Sequence, residues 1–167
     1  GIQGICNIPT EEVFTCPHRE RTNGRVFFSK PLVLAGTIVD GLSVEFRDGT
    51  VTSVRAKKGQ DTFERLISGD DGSKRLGEIG LVPHSSPISN SEILFYNPLF
   101  DENASSHIAF GQSYAACLPV DLRSPGFAER AGANQSAIHI DCMLGNSEMS
   151  VDGILETGTI EPLMRKG

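Results

Sequence analysis

What is missing narrows the field first. Among the 167 residues there is no GxSxG turn for a nucleophilic serine, no GxxxxGK[ST] loop for a nucleotide phosphate and no HExxH pair for a helical zinc site. No apolar run approaches the ~20 residues that span a bilayer, so no membrane partner is expected. Positive charge is in deficit: 15 Lys and Arg against 21 Asp and Glu leave a net charge of −6. That balance argues against nucleic acid or an anionic membrane as the main partner. The four cysteines, Cys6, Cys16, Cys117 and Cys142, form no CxxC pair and no Cys–His finger spacing. They are expected to be reduced, small apolar fillers in a cytoplasmic protein. The opening GIQGICNIPTEE has neither the basic nor the apolar stretch of a signal peptide. It also lacks an initiator methionine, and reads as the start of a fragment or a trimmed chain.

What is present points to one α+β domain over residues 1–167, with an antiparallel or mixed β-sheet and two or three helices. Eighteen glycines and nine prolines imply many turns and short strands rather than a helical bundle. RVFFSKPLVLAGTIV (25–39) holds short β-rich runs broken at Lys30-Pro31. LSVEFRDGTVTSVRA (42–56) predicts a hairpin turning at Asp48-Gly49, with room for a bulge because its return strand does not alternate strictly. Residues 61–78 predict a short helix, a Gly-Asp-Asp-Gly break and one further helical turn. EIGLVP (78–83), EILFYN (92–97) and SAIHIDCML (136–144) predict strands. Residues 101–117 predict a helix capped by Asp101 or Asn103. Residues 119–135 predict a loop, and VDGILETGTIEPLM (151–164) a closing hairpin.

Four places carry residues able to do chemistry. On the predicted helix 101–117, His107 and Tyr114 are seven apart and share a face, with the small Ala104 and Gly111 beside them and Glu102 at the helix start. The same pattern also fits an ordinary helix with an acid on its dipole. In AIHIDCM, His139 and Asp141 project from one face of a strand whose other face is apolar. Either that face is solvated or a metal satisfies it. Glu11 and Glu12 are adjacent, so in an extended segment at most one serves a given site. Glu78 sits on an apolar strand between two glycines that let other groups come close. His18 and His84 each follow a proline in loops and read as structural or pocket-lining. Two imidazoles, a phenol and four carboxylates suit Zn, Mn or Co rather than a cysteine-bound structural zinc, and four carboxylates balance two divalent ions.

Five blocks carry a family resemblance: NIPTEEVFT (7–15), RLGEIGLVPHSSPIS (75–89), LFDENASSHIAFGQSY (99–114), IHIDCMLG (138–145) and VDGILETGTIEPLMRKG (151–167). In this order they resemble the aminopeptidase T, aminopeptidase S and PepS family of thermophilic-type metallo-aminopeptidases. The resemblance implies a metal-dependent aminopeptidase that hydrolyses N-terminal residues from peptide substrates with a free N-terminus, through a water activated by two divalent metal ions (Zn, Co or Mn). It implies Glu12, Glu78, Glu102, His107, His139 and Asp141 as metal ligands and Tyr114 as an active-site tyrosine. Glu78 is the first choice for the base and Glu12 the second, with the metal site at a sheet–helix junction. It also implies a homodimer and, in longer family members, an N-terminal α/β domain that this chain does not contain. A non-catalytic metal-binding or structural piece, inactive without that domain, stays open as the alternative. So does another two-metal hydrolase such as a phosphoesterase. One departure stands out: Cys142 follows His-x-Asp where the family is expected to carry tryptophan, which would loosen the wall behind the metals or widen a pocket.

Overall fold

The computed structural model describes residues 11–167. The expectations for Cys6 and for the approach through Pro9 lie outside the described residues. In chain order the strands and helices are β1 (Val13–Thr15), β2 (Gly24–Phe27), β3 (Leu32–Leu34), β4 (Thr37–Val39), β5 (Ser43–Arg47), β6 (Thr50–Arg55), α1 (Gln60–Leu66), β7 (Leu76–Leu81), α2 (Pro87–Asn90), α3 (Pro98–Asp101), β8 (His107–Gly111), α4 (Pro125–Arg130), β9 (His139–Met143), β10 (Val151–Ile154) and β11 (Ile160–Met164). The class is α+β: the sheets are antiparallel, and among the described residues no helix exceeds the seven residues of α1.

Local turn chemistry builds the peripheral pieces. Asp48 and Gly49 take positive φ and join β5 to β6, and the register shifts between Glu45 and Phe46 to give a bulge. β2 pairs with β5 to complete a three-stranded sheet, and β3–β4 and β10–β11 are separate two-stranded hairpins. After α1, Asp70 caps a 3₁₀ turn over Asp71–Lys74, accepting from the Ser73 N–H at 2.8 Å while its own N–H donates to the Ser73 hydroxyl.

The central sheet has the order β1-β7-β8-β9, antiparallel throughout. Its core face meets the three-stranded sheet and α1 through Phe110. That ring is fully buried between Phe28, Phe46 and Phe63, with centroids 6.2, 5.7 and 5.2 Å away.

Three sequence expectations fail here; the simplest is the loop predicted over 119–135, which carries α4 at Pro125–Arg130. The segment predicted as helix 101–117 ends its helical part early: α3 passes into a 3₁₀ turn at Glu102–Ala104, and His107–Gly111 is strand β8. Pairing with β7 on one side and β9 on the other outweighs a weak local helix preference in SHIAFG. Residues 92–97, predicted as a strand, form a turn. Glu92 and Tyr96 have positive φ, and the Asp101 carboxylate accepts from the N–H groups of Phe95 and Asn97 at 2.9 and 3.0 Å. Those are donors that a strand would have used for pairing.

Candidate metal centre

The second face of the central sheet gathers the polar residues, and a bulge at Gly77 decides which they are. Leu76 pairs with Phe110, but after the shift Glu78 pairs with Ala109. Leu76 therefore faces the core, while Glu78, two residues on, faces the other way. A Cβ at Gly77 would lie 2.3 Å from the Gln112 carbonyl oxygen and 2.5 Å from that of Gly111, so the bulge admits only glycine. Ala109 pairs in turn with Asp141, giving a row Glu78–Ala109–Asp141 across three strands. Gly80 pairs with His107 and Gly111 with His139. The His107 ring lies over Gly80, where a Cβ would come within 2.3 Å of it.

His107 Nε2 is 3.1 Å from Glu12 Oε2 and 3.4 Å from Glu78 Oε1. His139 Nε2 is 3.5 Å from both Glu78 Oε2 and Asp141 Oδ1. Each oxygen of Glu78 thus faces a different imidazole. Glu12, Glu78 and His107 offer ligand atoms that all lie within 4.8 Å of one another. The far ring nitrogens are held by main chain: His107 Nδ1 lies 3.0 Å from the Ser105 carbonyl oxygen and His139 Nδ1 lies 2.7 Å from that of Gln112. A carbonyl only accepts, so each Nδ1 carries the proton and Nε2 turns to the carboxylates. A neutral imidazole in that tautomer sets a lone pair against acceptors. Such a contact requires a cation between them, a proton or a metal. Without metal the proton serves: burial works to lower the His107 pKa, but Glu12 and Glu78 outweigh it and hold it up to about 10. His139 is raised too, against its burial, chiefly by Asp141. Glu78 Oε2 and Asp141 Oδ1 are buried and receive no hydrogen bond. Buried, donor-poor carboxylates facing oriented imidazole nitrogens fit a divalent cation.

Tyr114 and Glu102 stand at the rim. They line a cavity with Glu12, Phe14, Glu78, Ala116 and His139. The Tyr114 ring is 4.7 Å from that of His139 and meets Phe14 edge-on at 6.1 Å. Its partial burial, then the surrounding carboxylates, raise its pKa, so it keeps its O–H. Tyr114 meets this cavity from the segment after β8, the strand that carries His107, so the two do not share a helix face. The site accordingly lies on a sheet face, with the 3₁₀ turn of Glu102 beside it, instead of at a long helix. Glu12 reaches His107, and Glu11 contributes its N–H to the Asn103 side-chain oxygen at 2.9 Å. Cys142 is fully buried in the core cluster behind β9, and burial pushes its thiol well up. His18 packs on Gly132 and His84 on Gly167.

Sequence reasoning missed Ser105 and Gln112, and read Asn103 only as a helix cap. Asn103 is fully buried and ties the Glu11–Glu12 segment to the turn carrying Glu102. The other two act through backbone carbonyls, which leave no trace in residue identity.

Fold and donor set define a class, a carboxylate–imidazole centre of the kind that holds divalent metal. Comparison with known proteins then narrows it. The family model described as thermophilic metalloprotease (M29) matches residues 1–167. The chain is 50% identical over 161 residues to Aminopeptidase T of Thermus thermophilus, covering 96% of this chain and 39% of that protein. It is 44% identical over 168 residues to Aminopeptidase 2 of Geobacillus stearothermophilus, covering 100% of this chain and 41% of that one. The solved structure of wild-type AmpT from Thermus thermophilus superposes with a TM-score of 0.87 at 49% identity, over 96% of this chain and 40% of that chain. The chain belongs to the M29 thermophilic metalloprotease family, and spans about two fifths of the length of these relatives.

Proposed function

We propose that these residues form the metal-bearing domain of an aminopeptidase that removes N-terminal residues from peptides. The observation that carries the reading is the pair of imidazoles locked through Nδ1 to backbone carbonyls, with Nε2 turned to opposite oxygens of Glu78. The relatives' names supply the reaction class.

In this reading Glu12, Glu78, His107, His139 and Asp141 would hold two divalent ions, Zn, Co or Mn. Glu102 completes the set. Bound there, they would supply Lewis acidity and an acidified water. The chain's own residues do the rest. Glu78 takes the proton of the attacking water and returns it to the leaving amine. Tyr114, held protonated, donates its O–H to the carbonyl oxygen as that atom gains negative charge. A carboxylate or a metal would receive the free α-amine, and Phe14, Tyr114 and Ala116 wall the space for the terminal side chain. A cytoplasmic location and a homodimer belong to the same proposal. Among the described residues no helix is long and apolar enough to cross a membrane.

The test is metal content and melting temperature of the purified full chain before and after chelation, with hydrolysis of leucine-, alanine- and arginine-p-nitroanilides. The expected outcome is about two metals per chain and stabilisation of ~4 kcal/mol at a thousandfold excess of metal over its dissociation constant. Anilide hydrolysis should exceed phosphate-ester hydrolysis. Absence of metal uptake under Zn, Mn and Co would sink the proposal. Metal uptake without hydrolysis would favour the non-catalytic alternative.

A further inference from the structure

Cys16 and Cys117 are 101 positions apart in the chain yet lie together beside the cavity. Cys16 directly follows β1, two residues past Phe14, and Cys117 lies three residues past Tyr114. The Phe14 and Tyr114 rings meet edge-on, which brings the two segments side by side independently of the sulfurs. Cys16, through its side chain and its backbone, is among the groups that act on the Cys117 thiol. Both are free thiols, and both are half-buried, open enough for a small oxidant to reach. Cys142, the other described cysteine, is sealed in the core. All three are free thiols, as the sequence predicts, but only Cys142 is a buried filler.

We propose that Cys16 and Cys117 form a reversible disulfide under oxidation by a peroxide, pinning the Tyr114 segment to β1 at the rim of the carboxylate–imidazole cavity. The step balances. One thiol gives two electrons to hydrogen peroxide, leaving a sulfenic acid and one water. The second thiol displaces hydroxide from that sulfur, forming the S–S bond and releasing a second water. A dithiol reductant restores both thiols and leaves as its own disulfide. Burial and the neighbouring Cys16 push the Cys117 thiol up to about 11, so it holds little thiolate and is not the sulfur that peroxide oxidises first. In a reducing compartment such a bond is transient, the usual form of disulfide there. The inference does not depend on the metal being bound or on the peptidase reading.

The experiment treats the purified, reduced full chain with hydrogen peroxide, then digests it without reductant for mass spectrometry while a second portion is melted. The expected result is one linked peptide pair joining Cys16 to Cys117, lighter by two hydrogens than the separate peptides. A rise in melting temperature of about 5–10 °C should accompany it, since the bond closes a loop of about 100 residues. Both signals should vanish with dithiothreitol and in Cys16→Ser or Cys117→Ser, and persist in Cys6→Ser. Linkage through Cys6 or Cys142, overoxidation of one thiol with no linkage, or a Cys16–Cys117 link that leaves the melting temperature unchanged would each overturn it.

Discussion

Tyr114 tests whether the rim of the cavity takes part in chemistry or only closes it. Its ring contacts His139 and Phe14, yet its side chain is not among the groups closest to the imidazole nitrogens. Tyr114→Phe keeps the ring contacts and removes only the O–H. Turnover should fall roughly 10²-fold, the usual loss for one donor to a developing oxyanion, with metal content unchanged. Metal analysis alongside steady-state kinetics reads both. Loss of metal in this variant would make Tyr114 a ligand or a support instead. At this scale much of the candidate site was legible: the side chains of Glu12, Glu78, His107, His139 and Asp141 come together. The residues that orient them were not legible, because Ser105 and Gln112 act through carbonyls that every residue possesses.

At the scale of elements, the bulge in β7 and the tether before β9 set the geometry. Gly77→Ala places a Cβ against two carbonyl oxygens, so the bulge must open or the end of β8 must move. A cost of about 1–3 kcal/mol is expected from overpacking, together with weakened metal binding because Glu78 loses its facing. Thermal melts and metal titration of the variant check this. A variant that kept full metal affinity would show that Glu78 does not need the bulge.

The tether is Asp70, whose Oδ2 accepts from the Ser136 hydroxyl at 3.0 Å and the Ala137 N–H at 2.9 Å, just before His139. The Ala137 N–H leads the groups that lower its pKa from 3.8 to about 2. A carboxylate whose pKa is depressed by folding stabilises the native state above its unfolded value, and that contribution disappears as pH falls through the folded value. Asp70→Ala should therefore lower the melting temperature at neutral pH. The gap from the parent should stay constant above about pH 5 and close between about pH 4 and 2. A gap independent of pH across that window would show that the carboxylate's charge contributes nothing.

For the molecule as a whole, the contact that binds the central sheet to the rest is aromatic. Phe110 lies on β8, the strand that carries His107, and its ring fills the space between β2–β5–β6 and α1. Phe110→Ala should cost about 3–5 kcal/mol, read by denaturant unfolding. The backs of β7 and β9 would lose their support, so metal affinity should fall with stability. A large stability loss with unchanged metal affinity would mean that the polar face holds its shape without this packing.

Residue order alone determined the hairpins at 42–56 and 151–164, the α1 break at 69–72 and the candidate carboxylates and imidazoles. Turn chemistry and side-chain identity act over a few positions, and a sequence displays those directly. Five family blocks in order did as much for the family. Only the tertiary structure decided that His107 lies on a strand, that Glu78 faces away from Leu76, and which nitrogen of each imidazole meets the carboxylates. Those outcomes rest on partners 29 to 95 residues away: His107 beside Glu78 and Glu12, and β8 between β7 and β9. Pairing with two neighbouring strands supplies more free energy than a short segment's own preference, so the neighbours, and not the segment, set its conformation.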